Sequence, residues 1–346
     1  MKKFIALLLV FACIFVIPVS ASAVSLEDGL EAINNSFEKG EGPVAGDFSI
    51  DYRYYSPVKD EADAAKYPLV VWLHGLGDGE YEGKPLEKSQ IGYWASDEFQ
   101  SRFSPAGGAF IMVARSREEL GVCWTNKTIE PLRSAIDDFI SQNKENIDLS
   151  RIYIGGYSMG GKMTLKMAIA YPEMFAAAFP ICPAWSPDKE AIEHLKDMPV
   201  WITSSSLDPL VSYYVGVTPT WQKLSEITAI PEKCRFSTLT KVCYADGTKT
   251  PSSHHAWFAV NYDLFTTQNG PYHYMTTQNA LGEEVTLTYP DGMISWLSSH
   301  TSDYDGKVIE GTGNITDDLN TDNMVAHLTI CEFFKILFNM VLSLFK

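Results

Sequence analysis

The sequence predicts an α/β fold: a mostly parallel sheet with helices on both faces. Three observations predict it. Short apolar, β-branched runs alternate with segments of helical period along the middle of the chain. Several runs are apolar throughout rather than alternating, as strands buried on both faces are. One of them, YPLVVWLHG, ends in glycine, as buried parallel strands do.

The elements follow in order. Residues 48–58, FSIDYRYYSPV, read as an outer strand, and 67–75, YPLVVWLHG, as a buried strand closed by glycine. Residues 109–116, AFIMVARS, form a further strand. From Ile129 to Asn146 the spacing predicts a helix, with Leu132, Ala135, Ile136, Phe139 and Ile140 on one face. RIYIGGYS (151–158) is a strand, and GGKMTLKMAIAYP a helix stopped by Pro172. Strands then recur at 174–183, 199–208 and 234–242. Residues 264–292 are polar and aromatic without helical period, and read as a loop or hairpin insertion.

The ends carry other signals. Met1–Lys3, an apolar run and an A-x-A pattern at Ala21–Ala23 predict a signal peptide over 1–23, with a retained anchor as the rival reading. An exported chain belongs in a compartment where disulfides can form. The five cysteines beyond residue 23 are odd in number, so at least one is unpaired within the chain. Cys234 and Cys243 are spaced to close a short loop, and buried free thiols are the alternative. No His/Cys cluster has zinc-ligand spacing, and neither a metal nor an organic cofactor is expected. The polar stretch from 303 is followed by LTICEFFKILFNMVLSLFK. As a helix it carries one narrow polar stripe, Glu332, Lys335, Asn339, Ser343 and Lys346. It is short for a span, so 328–346 predicts membrane-surface association, self-association or docking on the core. The division is thus 1–23 signal, 24–302 catalytic domain and 303–346 linker and terminal helix, in a secreted or envelope-associated protein. The net charge of −16 argues against nucleic acid as a partner.

One serine stands among four glycines in RIYIGGYSMGGKM. Gly156-Tyr157-Ser158-Met159-Gly160 fits G-x-S-x-G, in which a strained turn between strand and helix projects the hydroxyl. Glycines two positions either side let the backbones approach without a Cβ clash. A serine hydroxyl needs a base to take its proton, and the base needs a carboxylate to orient it. In this architecture the chain order is Ser, Asp/Glu, His. Asp208 ends the apolar run PVWITSSS, and the adjacent His254 and His255 follow CRFSTLTKV; one of the two would be the base. The oxyanion donors expected are the amides of Met159 and of Leu76, in the loop LHGLGDGE. His74 is then a structural histidine of that loop.

These residues resemble a known group. YPLVVWLHGLGDGE, DLSRIYIGGYSMGGKMTLKMAIAYPEMFAAAFPIC, PVWITSSSLDPLV, HHAW and MISWLSSH stand in the order found in secreted α/β-hydrolase serine esterases. That group includes feruloyl and acetylxylan esterases, polyhydroxybutyrate depolymerase-like proteins and chains labelled predicted peptidases. The resemblance spans roughly residues 48–300. It implies an α/β-hydrolase fold, Ser158 as nucleophile and Asp208 as acid. It also implies His254 as base, by alignment of Ser253-His254-His255-Ala256-Trp257 with a G-H-x-x-W block. Three departures stand out: Ser253 replaces that glycine, Ser204-Ser205 replaces an HG pair before the acid, and 264–292 is inserted close after the base. The expected activity is hydrolysis of acyl esters of plant polysaccharide, feruloyl or acetyl. A peptidase of the same fold and a non-catalytic envelope-associated binding protein are the alternatives. Tyr157, Trp124 and Trp185 lie beside candidate sheet-edge loops, where they are candidates to stack on an aromatic acyl group or a sugar ring.

Overall fold

The computed structural model describes residues 30–312, apart from 32, 61, 118–122, 245, 268–269, 272 and 308. The expected signal segment and C-terminal helix lie outside the described residues.

Nine strands form one sheet: β1 (Glu38–Glu41), β2 (Asp51–Tyr55), β3 (Tyr67–Leu73), β4 (Phe110–Arg115), β5 (Ile147–Tyr157), β6 (Ala177–Ile181), β7 (Trp201–Ser205), β8 (Arg235–Leu239) and β9 (Met275–Asn279). Their spatial order is β1-β2-β4-β3-β5-β6-β7-β8-β9. From β4 through β3 to β8 every neighbouring pair is parallel. The antiparallel pairings lie at the two edges, β1 with β2, β2 with β4, and β8 with β9. This is the α/β-hydrolase order that the sequence predicts, with all parallel strands ending at one edge.

The period-2 geometry of a strand divides its side chains between two cores. In β3, Leu69, Val71 and Leu73 enter one core, and Val70 and Trp72 the other. The first core is closed by α2 (Ile129–Gln142), α3 (Met159–Ala170) and α4 (Thr218–Ile227) through Ile136, Phe139, Met163, Trp221 and Leu224. The second is closed by α1 (Lys84–Ser89), α5 (Trp257–Asn261) and α6 (Met293–Ser298) through Leu86, Phe258, Ile294 and Trp296. Each such side chain taken from water contributes about 1.5–3 kcal/mol. The wholly apolar reading of β3 follows from this: both faces are covered, so neither needs polar residues.

The stretch 264–292 carries the expected hairpin, Thr266–Thr267 paired antiparallel with Gly270–Pro271, and adds a strand besides, while the chain after 302 differs from the expectation. The stretch 264–292 widens the sheet. Its residues 275–279 pair antiparallel along the length of β8, from Met275 beside Leu239 to Asn279 beside Arg235. Thr277 faces Ser237, and their hydroxyls lie 2.7 Å apart. At the other end, residues 303–312 lie on the domain rather than leaving it. Tyr304 is buried in the first core, and the Thr312 amide donates to Ala170 O at the end of α3 (3.0 Å). Among the described residues, Cys182, Cys234 and Cys243 form no disulfide. The 234–243 loop closure is therefore absent; Cys234 is buried in the first core, its thiol donating to Met198 O (3.6 Å).

Candidate active site

Ser158 separates β5 from α3 with φ 55° and ψ −115°. A positive φ is costly for a residue bearing a Cβ, so surrounding contacts must hold it. They come from both sides: the Ser158 amide donates to Ile181 O (3.0 Å), and its carbonyl accepts from Lys162 and Ala184 amides (2.9 and 3.1 Å). The glycines make the turn possible by close approach. A Cβ at Gly160 would lie 2.2 Å from Leu73 O, and one at Gly156 2.4 Å from the same oxygen. The end of β3 thus presses on the start of α3, and Ser158 is left half-buried at the strand edge.

The other two polar residues come from the loops after β7 and β8. Asp208 has a wholly buried carboxylate. Its Oδ1 accepts the Leu210 and Val211 amides (2.8 and 3.0 Å), so the loop's own backbone fixes the group. Its Oδ2 lies 2.8 Å from His254 Nδ1. His254 is set by a turn in which its amide donates to Ser252 Oγ (3.2 Å) and Thr250 Oγ1 donates to Ser252 O (2.9 Å). Burial favours the neutral imidazole; the neighbouring Cys182 sulfur and the Asp208 carboxylate on Nδ1 pull the other way and raise its basicity above the ordinary value. With Nδ1 engaged by Asp208, Nε2 is the nitrogen left for chemistry.

The adjacent histidine is different. His255 stacks on Trp257 at 4.6 Å, and burial lowers its pKa to about 4, so it is neutral. It makes no pair with Asp208; the geometry selects His254. Serine at 253 needs no glycine-like freedom, because its φ is not positive. Ser204 and Ser205, in place of the HG pair, are buried in β7, with Ser205 Oγ donating to Leu239 O (3.1 Å).

The loop after β3 is rigid where the oxyanion loop is expected. His74 is wholly buried, with Nδ1 2.7 Å from Gly75 O and Nε2 accepting the Ser116 amide at 3.0 Å. Those two bonds specify a neutral tautomer, and burial lowers its pKa to about 4. Its carbonyl accepts Trp124 Nε1–H (2.9 Å). Leu76, two residues on, is 70% exposed, and Met159 is the first residue of α3, whose leading amides have no intrahelical acceptor. Both amides therefore belong to elements that end at the Ser158 edge.

The three aromatic candidates are core residues. Trp124 and Trp185 are buried in the first core, and Lys166 Nζ lies 5.2 Å over the Trp185 ring. Tyr157 is buried in the second, stacked on Trp257 at 4.0 Å with its hydroxyl donating to Asp78. None presents an open ring face for a substrate, because their positions beside the edge point them into the cores. The exposed apolar groups at this edge are Leu76, Leu207, Leu210 and Tyr214, which flank the oxyanion loop and Asp208. The sequence reading also passed over Cys182. Its Sγ and single ligand atoms of Asp208 and His254 lie within 4.8 Å of one another, the one group of three His, Cys or acidic residues so placed among the described residues. Its signal was its place at the end of an apolar strand beside the Ser158 strand, which assigns no role by itself.

A parallel sheet of this order, with a strained serine between β5 and α3 and an aspartate–histidine pair from the next loops, defines the α/β-hydrolase class. Within it, the chain belongs to the family described as "putative esterase", whose model matches residues 49–284. It is 26% identical over 141 residues to feruloyl esterase B of Thermothelomyces thermophilus and 29% identical over 141 residues to feruloyl esterase B of Neurospora crassa. Each match takes in 38% of this chain and 44% of the relative, so the chain spans less than half the length of these curated relatives. The crystal structure of a thermostable esterase superposes with a TM-score of 0.57 at 24% identity, covering 78% of this chain and 64% of that one. That likeness concerns the fold.

Proposed function

We propose that the protein is a serine-dependent carboxylic ester hydrolase. The observation that carries this reading is the buried His254 Nδ1–Asp208 Oδ2 contact of 2.8 Å at the sheet edge where Ser158 is held with φ 55°. Ser158 Oγ attacks the ester carbonyl while His254 Nε2 takes its proton. Asp208 keeps the imidazole in one tautomer and stabilises the imidazolium. The Met159 and Leu76 amides receive the developing oxyanion. His254 then protonates the leaving alcohol. A water molecule, activated by the same nitrogen, releases the acid from Ser158.

The finer reading is an exported enzyme acting on acyl esters of plant polysaccharide, feruloyl or acetyl. The names of the two curated relatives support the feruloyl class. The exposed Leu76, Leu207 and Tyr214 offer an apolar rim suited to an acyl or aromatic group. Export rests on the Met1–Ala23 pattern, and membrane-surface or self-association on 328–346.

The test is labelling by a fluorophosphonate probe, followed by hydrolysis of p-nitrophenyl acyl esters, methyl hydroxycinnamates and peptide anilides. Wild type labels at Ser158 and cleaves esters; Ser158→Ala does neither, with kcat on an activated ester down by roughly 10⁴–10⁶. Absence of labelling in the wild type would favour a binding protein on this scaffold. Anilide cleavage faster than ester cleavage would favour a peptidase.

A further inference from the structure

We propose that Cys182 is a positioning residue for the His254–Asp208 pair, acting through a thiol whose sulfur lies within 4.8 Å of a ligand atom of each. The inference rests on the esterase reading of that pair.

Cys182 follows β6 and is wholly buried. Its amide donates to Thr203 O on β7 (2.8 Å). The residue before it accepts the Ser158 amide, and Ala184, two residues after it, donates to the Ser158 carbonyl. Residues 181–184 therefore clasp the nucleophile's main chain from both sides. The Cys182 thiol itself donates to His254 O (3.6 Å). One short segment thus grips both the serine and the histidine, which come from positions 96 residues apart in the chain.

The backbone adds an independent reason. Cys182 has φ 35°, in the left-handed region where glycine is relaxed and a Cβ-bearing residue is strained. Glycine would satisfy the turn more cheaply, so the side chain offsets a cost that the backbone alone does not require. The thiol sets a small, polarisable donor beside the imidazole. Burial pushes its pKa up, so it remains S–H and does not compete for the proton that His254 carries during the reaction. Of the titratable groups near it, Asp208 and His254 are the pair itself, and Tyr157 is held protonated by burial and Asp78.

The test compares Cys182→Ser, Cys182→Ala and Cys182→Gly by kcat, KM and the pH profile of kcat/KM on a p-nitrophenyl ester. The alanine and glycine variants lose the donor that ties His254. We expect kcat to fall roughly tenfold with KM within about twofold, and the acidic limb to move down toward the ordinary imidazole value. Serine keeps a donor and restores kcat to within about threefold of wild type, with the limb in place. Alanine and glycine variants that match wild type with an unmoved limb overturn the proposal, as does a serine variant no better than alanine. If alanine and glycine do not fold, the serine variant decides: near-wild-type kcat and limb support the proposal, and a roughly tenfold loss overturns it. Ser158→Ala is run alongside. An active Ser158→Ala would refute the esterase reading itself, whereas an inactive one beside indifferent Cys182 variants refutes only the role given to the thiol.

Discussion

At the residue scale, the adjacent histidines are the sharpest case. They share sequence context and differ only in what each ring meets. His254 meets a buried carboxylate at 2.8 Å, and His255 meets the Trp257 face. His254→Ala is expected to abolish turnover, while His255→Ala leaves kcat within a few fold, measured on p-nitrophenyl acetate. Asp208→Asn removes the charge and favours the wrong tautomer; its expected cost is up to about 10⁴ in kcat. The pH profile follows from the same pair. Cys182 and Asp208 together raise the basicity of His254, so the acidic limb of kcat/KM should lie above the ordinary imidazole value. Activity rises as pH increases through that limb and the imidazole loses its proton. In Asp208→Asn the limb moves to lower pH; a limb that stays in place would separate His254 from the base role.

At the element scale, two junctions hold the site. The first is the contact between the end of β3 and the start of α3. Gly160→Ala would set a Cβ against Leu73 O and His74 O at 2.2 and 2.5 Å, and backbone carbonyls cannot move aside. Its expected cost is about 1–3 kcal/mol in unfolding free energy from urea titration, with kcat reduced because the same shift displaces Ser158. The second junction is Asp263, which caps α6 by accepting the Met293 amide at 2.6 Å and lies 3.4 Å from Arg102. Burial raises its pKa to about 6, against the opposing pull of the Met293 amide and Arg102. The folded value exceeds the unfolded one, so the group's contribution is fully present below about pH 4 and is lost as pH rises through about 6. A shift of that size corresponds to about 3 kcal/mol. Asp263→Asn keeps an acceptor for Met293 without the charge. It should raise the urea midpoint at pH 7.5 and leave it nearly unchanged at pH 4. A midpoint that falls at pH 7.5 would show that the Arg102 pairing outweighs the burial cost.

At the scale of the whole molecule, the chain closes on itself beyond the last helix. Tyr304 joins the first core and Thr312 reaches the end of α3, so the domain extends past residue 302. Ending the chain at 302 should cost about 2 kcal/mol relative to ending it at 312, for the lost tyrosine burial. Urea midpoints of the two truncated chains, with activity as the control for folding, would measure this. Equal midpoints would assign 303–312 to a loosely attached linker.

The parallel strands, α2 and the serine turn were legible in the chain because each is written in local periodicity. YPLVVWL has both faces apolar; the helix 129–142 carries its stripe at 3.6-residue spacing; and four glycines around Ser158 announce close backbone approach. Chain order and strand ends were enough to nominate Asp208 and the adjacent pair His254 and His255, and the family resemblance singled out His254. What remained hidden was whatever depends on neighbours distant in sequence. β9, with the sequence MTTQN, is mostly polar, as an exposed edge strand can be, so its pairing with β8 leaves no apolar run to read. Trp124, Trp185 and Tyr157 stand beside the right loops, yet their rings turn inward, and side-chain direction is decided by packing. Cys182 is one small residue at a strand end, and only the meeting of three loops puts its sulfur beside His254. The sequence by itself determined the sheet, the nucleophile turn and the residue types of the site, since these follow from local pattern and bonding need. The tertiary structure alone decided which aromatics are core and which thiol lies beside the pair, and it supplied the His254–Asp208 contact that the resemblance had implied. Those outcomes are contacts between segments whose proximity no local rule contains.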